Sequence, residues 1–410
     1  MSHAATYRTV EEQLERVLAA VRARPAVTLP LAEADGSTLA EDARAVNAVP
    51  AFDNSAMDGF AVRFADVAAA TESTPAILRV TADVPAGSPE DPPLAPGCAV
   101  RIMTGAALPT DADTIVPFED TEGGLADSLA QAVVRRAPAA VGAHVRRAGA
   151  DAAAGAVVLQ AGALLGPRQL SALASVGVAE VAVAPRPRVA IVSTGSELVA
   201  PGEPLSRGQI PESNGLLLAG LAAEAGAEIV LREVVGDSGD GPAAAVAGAA
   251  ALRADVVVFS GGVSAGAYEP VRQSLGGTME FVSVAMQPGK PQGFGAAAGM
   301  LLFGLPGNPV SAAVSFEVFV RPALLRLQGR IRIHRPVRTL PAGADWRTPA
   351  GRRQYLPAVV DADGRVVPAT RGGSGSHLSV ALAAATAYAI VPAEIAQVRI
   401  GDPVDIVELE

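Results

Sequence analysis

From residue 185 onward the chain alternates wholly apolar runs with helical stretches, and no other feature restricts its fold so tightly. After Pro185-Arg-Pro-Arg188, apolar strands are expected at 189–192, 228–235, 256–259, 279–284 and 300–303. Helices are expected between them at 216–225 and 242–252, again after 260, and at 310–327. Strands apolar on both faces must be covered on both, and β alternating with α gives parallel strands joined by crossover helices. The prediction is an α/β unit with a parallel sheet at the centre of three layers.

The flanking sequence has a different texture. Thr9 and Glu12 have capping-box spacing, and Val10, Leu14, Val17, Leu18 and Val21 form one apolar stripe, so a helix runs up to Pro25. A short helical stretch is expected around 37–44. Between 74 and 147, Val/Ile-rich runs at 77–80, 99–103, 114–118 and 133–134 are separated by Pro, Gly and Asp, which predicts a small all-β insert. A helix is expected at 167–176, stopped by Gly177. After Gly329 short strands and Gly-rich turns return, the texture of a separate small β domain.

Five of the α/β strands end in unusual loops: Ser193-Thr-Gly-Ser-Glu197, Gly236-Asp237, Ser260-Gly-Gly-Val-Ser264, Gln287-Pro-Gly-Lys290 and Leu305-Pro-Gly-Asn-Pro309. In an open parallel sheet these loops share one edge, where ligands bind. Glycines there let backbone N–H groups approach phosphate oxygens. Any one loop is adequately explained as an ordinary strand-to-helix turn; five together are not. Carboxylates at or near three of them (Glu197, Asp237, Glu269) would repel a phosphate unless a cation lies between, and Mg²⁺ is the natural candidate.

The bulk composition removes other classes. A net charge of -10 argues against nucleic acid as the main partner. One cysteine, Cys98, excludes a multi-thiolate site, and His3, His144, His334 and His377 lack ligand spacing for zinc. No apolar run is long enough to cross a bilayer, and the N-terminus lacks signal-peptide order. A soluble, cytoplasmic protein is therefore expected. No G-x-G-x-x-G follows the first strand, and Gly289-Lys290-Pro291 is not a P-loop. Gly262-Val-Ser264-Ala-Gly266 does satisfy the nucleophile-elbow pattern, so a serine hydrolase using Ser264 with His377 or His334 is a rival. Asp53-Asn-Ser-Ala-Met-Asp58-Gly, taken alone, reads as a turn whose side chains bond the local backbone.

Taken in order, the motifs resemble those of the molybdopterin molybdenumtransferase family, also called molybdenum insertases. The resemblance rests on Phe52-Asp-Asn-Ser-Ala-Met-Asp58-Gly-Phe-Ala-Val-Arg63, Ala99-Val-Arg-Ile-Met-Thr-Gly-Ala106, and Val145-Arg-Arg-Ala-Gly149 followed by Asp151. It continues through Ser193-Thr-Gly-Ser-Glu-Leu198, Ser260-Gly-Gly-Val-Ser264, Pro288-Gly-Lys-Pro291 and Leu305-Pro-Gly-Asn-Pro-Val-Ser311. It implies an elongated four-domain subunit acting as a homodimer. Its parts would be an N-terminal helix (1–26) joining the α/β molybdopterin-binding domain (184–328), and a linking α+β domain (27–46 and 141–183). A β-rich insert (47–140) and a C-terminal β-barrel-like domain (329–410) would complete it.

The implied reaction joins molybdate to adenylated molybdopterin, releasing AMP, with Mg²⁺ as cofactor. The resemblance implies Asp58 and Asp151 as catalytic residues and Asp237 and Glu269 as metal ligands. Substrate would meet Ser55, Thr194, Gly195, Glu197, Ser260, Gly261, Gly262, Ser264, Pro288, Lys290, Pro306, Gly307, Asn308 and Pro309. The sequence departs from the family pattern at Ala150, Ala267, Glu269, Ser283 and Gln287, and leaves Lys290 as the cation beside the anion. A non-catalytic molybdopterin carrier is a third class; retained Asp58, Asp151 and cleft carboxylates argue against it, because a carrier needs only the cradle.

Overall fold

The computed structural model describes residues 7–126, 128–237, 240–264, 266, 269–370 and 382–409. Helix α1 (Val10–Ala20) opens the chain. Its capping box is formed: the Glu12 N–H donates to Thr9 Oγ1 at 3.1 Å, and the Thr9 N–H donates to Glu12 Oε2 at 2.8 Å. The buried residues Val10 and Val17 pack with the α/β unit, not with the segments that follow in sequence.

That unit contains β1 (Arg188–Thr194), α2 (Asn214–Glu224), β2 (Glu228–Val235), α3 (Gly241–Ala251) and β3 (Val256–Ser260). It continues with α4 (Pro270–Leu275), β4 (Met279–Ser283), β5 (Pro291–Ala297), β6 (Met300–Leu305) and α5 (Pro309–Ser315). The strand order is β2-β1-β3-β6-β5-β4. Strands β2, β1, β3 and β6 are parallel; β5 is antiparallel to both neighbours, so β4 again points the same way as the first four. Period-two alternation divides the core between the two faces. Val189 and Ile191 of β1 pack with Leu218 and Ala222 of α2, whereas Ala190 and Val192 pack with Ala245 and Ala249 of α3.

The expected three layers are present, with one strand more than the sequence suggested. Strand β5 has the glycines of a loop, but they are required by packing. A Cβ at Gly295 would lie 2.3 Å from the Thr278 carbonyl oxygen, and one at Gly293 would lie 2.8 Å from the Phe281 ring. The helix expected at 310–327 is also not uniform: five residues, Phe316–Val320, form a π turn between α5 and α6 (Arg321–Leu327). The helical stretch expected at 37–44 is absent. Strand Thr38–Leu39 pairs with Glu180–Ala184, and Ala43–Arg44 pairs with Val157–Leu159, so long-range pairing overrides local propensity there.

The insert is a five-stranded sheet in the order Thr114–Pro117, Gly59–Val62, Cys98–Ile102, Ala76–Val84, Gln131–Val134. It has its own core on each face, around Phe60 and Val116 on one side and Val100 and Ile115 on the other. Among the described residues, no hydrophobic cluster is shared between the insert and the α/β sheet. In the C-terminal domain, Arg353–Val360, Ala387–Val391, Pro403–Glu408 and Val337–Pro341 form an antiparallel sheet. Met286–Gln287, from the loop after β4, adds to it in parallel with Arg353–Gln354. Among the described residues, no helix is long and apolar enough to cross a membrane.

Candidate active site

Because β1, β2, β3, β4 and β6 point the same way, the loops that follow them gather at one edge of the sheet. Hydrogen bonds tie these loops to each other. The Gly195 N–H donates to Val235 O at 3.0 Å and the Gly261 N–H to Leu305 O at 3.0 Å. The Ser196 N–H donates to Asp237 Oδ2 at 3.1 Å, while the Asp237 N–H donates to Ser196 Oγ at 2.9 Å. Thr194 is buried, and its hydroxyl donates to Ser260 O at 3.3 Å.

The glycines hold this edge in a shape that other residues cannot adopt. Gly261 has φ +95°, and a Cβ there would lie 2.7 Å from Thr194 O and 2.8 Å from Thr194 Oγ1. Gly262, with φ +66°, would press on the Pro270 ring at 3.0 Å. Gly307 meets Gly261 closely, with its would-be Cβ 3.5 Å from Gly261 Cα. Pro306 is buried, whereas Gly307 and Asn308 are exposed at the edge and Pro309 starts α5.

Two residues that sequence reasoning passed over are central here. Asn214, at the start of α2, is buried; its Nδ2 donates to Ser260 Oγ at 2.7 Å and to Gly307 O at 2.6 Å. Asn214 therefore clasps the two glycine loops. Buried Glu212 accepts from the Ser193 hydroxyl at 2.8 Å and from the Gly215 N–H at 2.7 Å, both on Oε1. The available signal was the polar run Glu212-Ser-Asn214 directly before an apolar helix, which reads as ordinary capping. Asn214→Leu preserves bulk but leaves Ser260 Oγ and Gly307 O without their donor. A destabilisation of about 1–3 kcal/mol is expected in a denaturant titration.

Glu269 and Asp237 are held by backbone donors. Glu269 Oε2 accepts from the Ser264 N–H at 2.8 Å and Oε1 from the Gly266 N–H at 3.2 Å. Asp237 uses Oδ2 on Ser196, and Glu197 is exposed beside Gly195. Among the described residues, no three His, Cys, Asp or Glu groups gather into a complete metal cage. Asp237 and Glu269 are hard oxygen donors that keep spare lone pairs, which fits a divalent cation taking its remaining ligands from phosphate and water. Pro288 and Gly289 are buried, with Gln292 Nε2 donating to Gly289 O at 2.6 Å. Gln287 accepts from Arg352 of the C-terminal domain at 2.6 Å, a cation at this loop that sequence reasoning did not supply.

Asp58 and Asp151 are built into a separate construction. Segment 54–55 pairs with 145–146, and Asp53 accepts from Arg147 at 2.5 Å and from the Ala148 N–H at 2.7 Å. The Ala148 N–H, followed by Arg147, holds the Asp53 carboxyl below its ordinary range. The Asp151 N–H donates to Val49 O at 2.9 Å, which brings its segment alongside the Asp58 loop. Exposed Asp58 accepts on Oδ1 from the Thr104 N–H and the Thr104 hydroxyl, each at 2.7 Å. The N–H, then the hydroxyl, lower the Asp58 pKa. Ser55 is fully buried, and its hydroxyl donates to Met57 O at 2.5 Å, so here it shapes the loop.

Ser264 is exposed and its N–H serves Glu269; among the described residues, no hydrogen bond joins its hydroxyl to a histidine. His334 lies near Arg321, its pKa lowered by burial and then by that charge. His377 and Ala267 lie outside the described residues.

Comparison with known proteins covers nearly the whole length. The family descriptions "MoeA N-terminal region (domain I and II)", "Probable molybdopterin binding domain" and "MoeA C-terminal region (domain IV)" match residues 8–177, 190–326 and 339–409. Molybdopterin molybdenumtransferase 2 of Mycobacterium tuberculosis is 43% identical, the match covering 98% of this chain and 100% of that protein. Molybdopterin molybdenumtransferase 1 of the same organism is 37% identical, covering 97% and 98%. A crystal structure of the molybdopterin biosynthesis moeA protein from Pyrococcus horikoshii superposes with a TM-score of 0.84 at 32% identity, covering 99% of this chain and 100% of that one. With its glycine loops on one sheet edge and its three domain matches in order, the chain belongs to the molybdopterin molybdenumtransferase family.

Proposed function

We propose that this chain inserts molybdenum into molybdopterin, taking molybdate and the adenylated pterin as substrates and releasing AMP. The observation that carries the reading is the single sheet edge on which glycine loops and carboxylates converge. Both substrates are anions, so the task is to bring negative charges together, and fixed dipoles suit it. Gly195, Gly261, Gly262 and Gly307 keep the loops in the close-packed shape that phosphate and pterin would meet, with the Gly195 and Gly261 N–H groups tying loop to loop. Lys290 adds a positive charge to the same edge. Asp237 and Glu269 would hold Mg²⁺, which when bound supplies Lewis-acid polarisation of the phosphate. Glu197 lies at the same edge, and Ser264 lines it as a binding residue.

Asp58 and Asp151 position molybdate and accept or donate protons as oxygen leaves. Asp58 sits on an insert whose core is separate from that of the sheet, and Asp151 on the linking segment bonded to Val49 beside it. This separation supports a homodimer in which the Asp58 loop of one copy faces the glycine loops of the other. The reaction is placed in the cytoplasm. The test is molybdate-dependent AMP release from purified protein supplied with adenylated molybdopterin and Mg²⁺. Tight pterin binding without turnover would instead establish a carrier.

The Thr104 contacts add a pH signature. Asp58 is held below its ordinary range, so its ionised form persists to low pH, and activity that needs it falls as pH drops through that pKa. Thr104→Val removes the hydroxyl donor and keeps the N–H. The acid limb of the pH–rate profile is expected to move to higher pH, with the neutral plateau less affected.

A further inference from the structure

Of the 32 basic residues in this chain, 31 are arginine and one, Lys290, is lysine. A protein that otherwise meets its need for side-chain cations with guanidinium keeps an ammonium at one place, on the edge that gathers the glycine loops. The two groups differ physically: an ammonium is a compact, strongly hydrated point charge on a flexible stem, and guanidinium is a planar fork. A flexible stem needs something to place its tip.

The structure supplies it from the far end of the sequence. Residue Arg8 forms a parallel bridge with Val284, its N–H donating to Ser283 O at 3.0 Å and its O accepting from the Ala285 N–H at 2.9 Å. The Arg8 side chain is anchored on Glu280 at 2.7 Å and on Gln13 at 2.8 Å. Val284 in turn donates to Lys290 O at 2.8 Å, so the N-terminal segment and the Lys290 loop are laced together. This lacing sets the Tyr7 ring under the Lys290 ammonium, with Nζ 5.2 Å from the ring centroid. That separation is within the range at which a cation is attracted to an aromatic face. Tyr7 is itself 38% exposed, so its ring is not simply buried in a core.

We propose that Tyr7 is a positioning residue for the insertion reaction: its ring face holds the Lys290 ammonium where the incoming tetrahedral oxyanion meets the sheet edge. The proposal rests on the reading of Lys290 as an anion contact. It predicts that losing the ring weakens capture of molybdate without altering the chemical step. Cation–π attraction at a partly exposed site is about 0.5–1 kcal/mol, which corresponds to roughly a two- to five-fold change in an affinity.

Because Lys290 is the sole lysine, protein grown with ¹³Cε-labelled lysine gives one side-chain signal that needs no assignment. In the wild type its Hε protons should be shifted upfield by the Tyr7 ring current, and inorganic molybdate should perturb them further. Tyr7→Leu should return the signal toward that of free lysine and raise KM for molybdate two- to five-fold, with kcat little changed. Tyr7→Phe, which keeps the ring, should restore both. If Lys290→Ala impairs molybdate use while Tyr7→Leu alters neither signal nor KM, the positioning role is wrong and the reading of Lys290 stands. If Lys290→Ala itself leaves KM for molybdate unaltered, the reading of Lys290 fails and the role of Tyr7 falls with it. A Tyr7→Leu protein with lowered Tm and kcat but unchanged KM, not rescued by Tyr7→Phe, would mark a purely structural residue and overturn the proposal.

Discussion

Asp58→Asn is expected to lower molybdate-dependent AMP release by about 10²–10⁴-fold, the range associated with loss of a positioned proton-transfer group. The substitution is nearly isosteric. The amide oxygen can still accept from the Thr104 N–H and hydroxyl, each now 2.7 Å from Asp58 Oδ1, so the loop keeps its shape. What disappears is the negative charge and the basic oxygen that faces solvent. The supporting ribbon does not depend on that charge: it is held by the 54–55 and 145–146 pairing and by Asp53 with Arg147 and Ala148. Thermal unfolding should therefore be close to wild type while turnover collapses. Full insertion activity in Asp58→Asn would remove Asp58 from the mechanism and shift attention to Asp151.

Gly261→Ala should damage the other half of the site through shape alone. At φ +95° an alanine is strained, typically by about 1–3 kcal/mol. Its methyl would also stand 2.7 Å from Thr194 O and 2.8 Å from Thr194 Oγ1, atoms fixed in the neighbouring loop by the Ser260 contact. Relief requires Gly261 to move away from Thr194, which pulls on its 3.0 Å bond to Leu305 O. The expected result is a lower denaturation midpoint and pterin affinity reduced by at least about ten-fold, equivalent to 1.4 kcal/mol, measured by calorimetric titration. Gly220→Ala, in the middle of α2 with open space around its would-be Cβ, is the control. It should be neutral or stabilising by up to about 1 kcal/mol. Equal pterin affinity in Gly261→Ala and wild type would show that the cradle lies elsewhere.

The α/β unit was legible because its signals are local and periodic. Fully apolar strands such as 256–259 and the capping box at Thr9 and Glu12 depend on neighbours a few residues away. Where the sequence misled, the deciding contacts came from far along the chain. Residues 37–44 have an unremarkable helical composition, yet Thr38–Leu39 becomes a strand because Glu180–Ala184 offers it a partner. Strand β5 goes unread because Gly293 and Gly295 suggest a loop, whereas they answer to Phe281 of β4 and to Thr278 just before it. The carboxylates of the site were readable as residue types at turns. Asn214 was not, because a polar residue ahead of a helix has a simpler use as a cap, and its bonds reach residues 46 and 93 positions away.

By itself, then, the sequence determined the class of the fold, the presence of glycine loops at strand ends, and the family motifs in order. Each is a matter of residue type and short spacing. Only the tertiary structure decided which groups share a site: that Asn214 clasps two loops, that Arg352 reaches Gln287 from the C-terminal domain, and that Tyr7 lies under Lys290. The physical reason is that hydrogen bonds and cation–π contacts act over a few ångströms. Distance between these side chains is set by strand order and chain crossing, which residue spacing along the chain does not encode.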